Sequence, residues 1–463
     1  MYNWKLFLLL LLVVVLVLGI VGAASYIYLE RRSPVAEAET DFSFKPFTPE
    51  QFLRHEVEVD LKTSGKIVET AELKTLEKNV SEIRGLPVKE PIRFRECSEE
   101  LIRFTMMKEM EEESPEGDIE ADEKLLVALG LFPKSKSLEK TVTDVYTEQI
   151  AGFYDPETKD ITLVKGKDTG DVMDELTLAH ETCHALQDQN FGLEQPPLDV
   201  DTYNGDNDLA VTSLIEGDAT MTMVLYARQY IDPSRLTPEA FSAAEESSKE
   251  LDAAPPYIRK ALLFPYEEGF TFAEKVYGDG EFGQMDASLR DPPLSSEQII
   301  HPDTYLGPDR QNPVTLPLVD ISGSLGADWK KINEDCLGEF DYEAWFEQYS
   351  GALAAEDASQ GWAGNTIQYF QGPGKRYSLV SLTQWDTSKD ALDFFDLYEE
   401  LLADRFKGKQ KKAGSGQDWY LYEADGQLFY CSMSGESTLA LQATSKDDLV
   451  NTLKNYPTWP QLP

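Results

Sequence analysis

TLAHETCHALQDQNFG, residues 177–192, holds two of the four histidines of a 463-residue chain, four positions apart, with a glutamate directly after the first. At about 100° per residue around a helix, with His180 at zero, His184 falls near 40°, Asp188 near 80° and Glu181 near 100°. Leu176, Ala179, Cys183 and Leu186 gather between about 240° and 320° on the same projection. The stretch therefore predicts a helix with an apolar stripe for a core and a separate His-Glu-His-Asp stripe. A structural histidine pair belongs on the apolar side, and these two are not there. Cys183 is there, and reads as a small buried hydrophobe rather than a ligand.

Histidines one helical turn apart can direct two imidazole nitrogens at one Zn2+ ion, about 2.0–2.1 Å away. The glutamate beside them can then deprotonate a bound water whose pKa the metal has brought to near 7. A catalytic zinc needs a third protein ligand and one open position. The metzincin solution, a histidine six residues after the second, fails because Asn190 stands there and Gln187 takes the place of the glycine. Glu216, in SLIEGDAT, lies on a second predicted helix near 208–230. A lone acid in an apolar stretch is costly to bury unless it is paired or bound to a metal. The competing arrangement is a salt bridge from Glu216 to Arg228, with Asp188 or Asp218 taking the metal.

His180, Glu181, His184 and Glu216 together resemble the gluzincin branch of the zincin metallopeptidases, the thermolysin-like superfamily. The resemblance implies that His180, His184 and Glu216 bind zinc and that Glu181 is the general base. Beyond these four, the series AGFYDP, HExxHALQDQ, EGDAT and SSEQIIHP is similar to an uncharacterised group of bacterial membrane-anchored metallopeptidases, over roughly residues 80–310. The resemblance also implies an oxyanion donor from a later helix, for which His301 is the first candidate, Tyr305 the second and Tyr154 a weaker third. It implies a strand edge that aligns peptide substrate, with ITLV (161–164) as the candidate. One departure stands out. Where gluzincins often place an aspartate that holds a zinc histidine, this chain has Thr220, which leaves Asp188 and Asp174 as candidates for that role.

The remaining sequence sets the context. A net charge of −41 excludes nucleic acid as a partner, because a phosphate backbone would be repelled. From Leu6 to Leu29 the chain is uncharged, with a core LFLLLLLVVVLVLGIVG that is almost purely aliphatic, enough for a helix of about 36 Å. Residues 1–29 are therefore expected to form a transmembrane signal-anchor helix and residues 30–50 a stalk. This implies a single-pass cell-membrane protein with its bulk on the extracytoplasmic side. His55 reads as a surface residue, and four cysteines are too few for a disulfide framework.

The expected fold class is α+β. Residues 51–145 form a helical N-terminal part, 146–312 a mainly helical zincin-like core with a small sheet, and 313–463 a second α+β domain with an antiparallel sheet. The function expected is that of a zinc-dependent metalloendopeptidase acting on peptide or protein substrates. The rival is a catalytically inactive zincin-fold binding or scaffold protein of the cell envelope. Zinc content separates a metal protein from a metal-free scaffold, and hydrolysis separates an enzyme from a binding protein. Oligomeric state has no signature in the sequence.

Overall fold

A computed structural model describes residues 65–98, 100–102, 118–149, 152–164, 171–199, 204–237, 249–317 and 319–462. It is a mixed helix-and-sheet architecture with two sheets. The first half runs β1 (Lys66–Val68), α1 (Ala71–Arg84), β2 (Arg93–Cys97), α2 (Asp118–Leu129), α3 (Leu138–Gln149), β3 (Gly152–Asp155) and β4 (Asp160–Val164). The helices α4 (Val172–Phe191), α5 (Gly205–Tyr230), α6 (Pro256–Arg290) and α7 (Ser296–Ile300) follow. The four strands order as β1-β2-β4-β3, with β2 and β4 parallel and the other pairs antiparallel.

The β3–β4 hairpin is closed by the Asp155-Pro156-Glu157-Thr158 turn, where the Asp155 carboxylate accepts the N–H groups of Glu157 and Thr158. The stretch 51–145 is less uniformly helical than its composition suggests, because RFREC (93–97) pairs with β4, far along the chain. Such a non-local pairing overrides local propensity. ITLV (161–164) is not an edge: β4 is enclosed between β2 and β3, and the free edge at that end of the sheet belongs to β3.

Helix α4 is bounded as its sequence dictates. The Asp171 side chain accepts from Met173 N–H at the start, and Gly192 ends it in the left-handed region at φ 75°. Val172, Met173 and every residue from Leu176 to Asp188 are buried. The polar stripe of this helix therefore faces other protein, not solvent. Helix α5 packs against it and against α6, and its contact with α6 is backbone to backbone. A Cβ on Gly217 would lie 2.0 Å from the Gly269 carbonyl oxygen, and one on Gly269 would lie 2.3 Å from that of Ser213. Only glycine permits this approach.

The second half contains β5 (Lys330–Asp335), α8 (Glu339–Ser350), α9 (Ala352–Ser359), β6 (Trp362–Gln371), β7 (Tyr377–Trp385), α10 (Ser388–Arg405), β8 (Lys411–Ser415), β9 (Trp419–Ala424), β10 (Gln427–Ser434), β11 (Ser437–Ala443) and α11 (Lys446–Leu453). Its seven strands order as β5-β6-β7-β11-β10-β9-β8, all antiparallel. Trp345, Phe394 and Leu401 from α8 and α10 pack with Trp385 and Phe429 in one cluster, while Trp329, Leu449 and Trp459 pack with Phe370, Val380 and Tyr430 in another. Both Asp425 and Gly426 take positive φ, 49° and 71°, as a two-residue hairpin turn requires. The halves meet where Gly205 N–H donates to Asp335 and Phe340 N–H donates to Ser296 Oγ.

The transmembrane component of the expected fold, and the single-pass extracytoplasmic placement resting on it, are corrected. Among the described residues no helix is long and apolar enough to cross a membrane. Helix α5 is interrupted by Glu216 and Asp218, and α6 carries Arg259, Lys260, Glu267, Glu268, Glu274 and Lys275. The stretch 1–29 on which the anchor was read, the stalk at 30–50 and His55 lie outside the described residues.

Candidate metal centre

Helix periodicity brings His180 and His184 onto one face of α4, and α5 lays Glu216 against them. His180 Nε2 lies 3.0 Å from Glu216 Oε2, His184 Nε2 lies 3.4 Å from the same oxygen, and the two Nε2 atoms are 2.9 Å apart. Each residue offers one ligand atom, and those atoms all fall within 4.8 Å of one another. Around a tetrahedral zinc with bonds of about 2.0–2.1 Å, ligand atoms stand about 3.3 Å apart, so the donor set fits that ion in type and spacing. Glu216 Oε1 is buried without a hydrogen-bond partner. Such an orphan is expensive unless something occupies the site.

All four motif residues are 0–1 % exposed, and their electrostatics follow from that. Burial lowers the His180 pKa to about 4. Burial also disfavours charge on His184, but the adjacent Glu216 carboxylate outweighs it and raises this imidazole to about 9. Glu216 is pushed up by burial, yet His184 and the hydrogen bonds from both rings hold it below its ordinary value. At neutral pH the metal-free cluster is thus a buried His184–Glu216 ion pair beside a neutral His180. Burial raises Glu181 to about 8, with His184 and the Tyr154 N–H opposing.

Glu181 reaches the hairpin. Its Oε2 accepts from Tyr154 N–H at 2.8 Å, and its Oε1 is buried with no partner. Tyr154 donates its hydroxyl to Asp188 at 2.6 Å, and Lys159 pairs with the same carboxylate at 2.6 Å. Asp188 is therefore a tie between α4 and the hairpin.

Behind His184 runs a second polar chain. The His184 Nδ1 faces Gln187 Oε1 at 2.8 Å, and the Gln187 amide donates to Asp218 at 2.8 Å and to the Ile215 carbonyl at 3.0 Å. Asp218 is held by Arg84, 2.7 Å away, and Arg84 also meets Asp286 at 2.8 Å. Sequence reasoning missed Gln187 and Arg84. The first sits three residues past His184 and was legible as a same-face neighbour. The second had no local signal.

The other candidates have partners of their own or are not engaged with the histidines in this arrangement. Glu216 faces the histidines, and the expected rival ligands Asp188 and Asp218 have the partners just named. Thr220 is buried with its hydroxyl unpartnered. Cys183 is fully buried in the core, its thiol 3.5 Å from Thr222. His301 pairs through Nε2 with Glu339 Oε1 at 2.9 Å, at the junction with α8, and Tyr305 donates to the Asp291 carbonyl. The aromatic ring beside the cluster is that of Tyr266, whose centroid is 6.4 Å from that of His180.

Residues 327–453 match a family described as a domain of unknown function (DUF8575). The match falls on the seven-stranded sheet and its helices, away from the histidine cluster. No curated protein matches this chain. No solved structure matches it.

Proposed function

We propose that this chain is a zinc-dependent peptidase of the gluzincin kind. The observation that carries the reading is the convergence of His180, His184 and Glu216 around one point, with the unpartnered Glu181 Oε1 on the adjoining residue. His180 and His184 would hold the ion through Nε2, and Glu216 through its carboxylate. Zinc there supplies Lewis-acid polarisation of a peptide carbonyl and an acidified water. Glu181, anchored at Oε2 by the Tyr154 N–H, takes a proton at Oε1 and delivers it to the leaving amine. Asp188 and Lys159 hold Tyr154, and hence this contact, in register.

The test is hydrolysis of casein and of a panel of internally quenched peptides by the full chain. A chelator is expected to abolish turnover and added zinc to restore it. Turnover that survives complete metal removal contradicts the reading. A non-catalytic metal-binding role is favoured by one observation, the near-total burial of all four residues. One equivalent of bound zinc without hydrolysis of any probe selects it.

Zinc loading must displace the proton that His184 holds up to about pH 9. Below that value apparent affinity is expected to weaken at least about tenfold per pH unit. At pH 7 at least one proton is released per zinc, measurable by calorimetry in two buffers of different ionisation enthalpy. Zinc uptake with no proton release contradicts a charged His184 in the metal-free cluster.

A further inference from the structure

We propose that Arg84, Asp218 and Gln187 form a positioning chain that fixes which nitrogen of His184 is free to hold a metal. The proposal rests on the zinc reading of the site and adds three residues to it. The argument runs from the far end inward. Arg84 is 1 % exposed, permanently charged, and in contact with Asp218 at 2.7 Å. That contact holds the side chain of Asp218, itself fully buried, against the Gln187 amide. The Gln187 side-chain nitrogen faces two acceptors, Asp218 Oδ2 and the Ile215 carbonyl. Its amide therefore has one orientation, and Oε1 must be the atom turned towards His184.

An amide oxygen accepts only, so His184 Nδ1 must carry the proton, and the neutral ring presents its lone pair at Nε2. Nε2 is the atom beside His180 and Glu216. A charge on α1 thus selects a tautomer on α4 through a carboxylate on α5. The partner of this histidine is Gln187 on its own helix, and the charge comes from Asp218 and Arg84. Partners of this kind typically change metal affinity about 10–100-fold when removed.

Three variants of the full chain test the proposal, with zinc affinity measured by competition against a chromophoric chelator. Gln187→Met keeps the side-chain volume and cuts the chain at its centre. It is expected to weaken zinc binding about 10–100-fold. The double variant Arg84→Met/Asp218→Leu replaces a buried ion pair with an apolar one, an exchange that folds commonly tolerate. It is expected to weaken zinc similarly, whereas Arg84→Lys, which keeps the charge but loses the fork that reaches both Asp218 and Asp286, weakens it less than the double variant. A role in folding alone would not move the spectroscopic readout. With histidine-selective 15N labelling, the zinc-loaded parent shows a slowly exchanging His184 Nδ1 proton, and Gln187→Met loses it. Unchanged affinity together with a retained Nδ1 proton in Gln187→Met overturns this proposal and leaves the zinc reading intact. Failure of the parent to bind zinc overturns the reading itself, and the positioning chain with it.

Discussion

Replacing Glu181 by glutamine is expected to lower peptide hydrolysis about 10²–10⁴-fold while one equivalent of zinc stays bound. Glutamine has the same shape, and its amide oxygen can still accept the Tyr154 N–H that Glu181 Oε2 accepts now. It cannot take a proton at the other position, so the loss falls on turnover and not on metal affinity. The same substitution has a signature in stability. Burial raises the Glu181 carboxyl from 4.5 to about 8. Between those values the folded state keeps a proton that the unfolded chain has released. The residue therefore costs stability progressively as pH rises through this window, by about 3 kcal/mol at pH 7. Metal-free Glu181→Gln is expected to melt higher than the parent at pH 7 and to show no advantage near pH 4. A more active or less stable variant contradicts the assignment, because neither follows from a buried base kept for chemistry.

The second large effect concerns Gly217, one residue past Glu216. Alanine there places a methyl 2.0 Å from the Gly269 carbonyl oxygen and 2.5 Å from its carbon, both backbone atoms that cannot rotate aside. Helices α5 and α6 must separate. The cost is expected to exceed the roughly 1–3 kcal/mol of ordinary overpacking. Moving α5 also moves Glu216, so zinc affinity falls together with the melting temperature. Gly278→Ala serves as the control. It lies on α6 with nothing within 4 Å of an added Cβ, and exchanging an interior helical glycine for alanine stabilises by up to about 1 kcal/mol. Equal melting temperatures for Gly217→Ala and the parent would show that the helices do not pack as described.

The legible part of this molecule is the part that local periodicity encodes. Four-residue spacing put His180 and His184 on one face, and a lone acid in an apolar run marked Glu216. The Asp155–Thr158 turn and the aromatic-rich runs after residue 360 announced their strands through turn chemistry and β-branched or aromatic content. The illegible part depends on partners far along the chain. Arg84 and Asp218 are 134 residues apart, and nothing near Arg84 distinguishes it from a solvated helix-end cation. RFREC became a strand only through β4, which in turn made ITLV an interior strand. His301 looked available to the site from its motif alone, but Glu339 on α8 engages it. The apolar N-terminal run carried a membrane reading that no described helix supports.

The most direct measurement is anomalous diffraction at the zinc edge from crystals of the full chain loaded with zinc. One peak is expected within bonding distance of His180 Nε2, His184 Nε2 and a Glu216 carboxylate oxygen. A zinc-loaded crystal with no peak there, or with Glu216 turned away and no other protein donor in its place, would contradict the account.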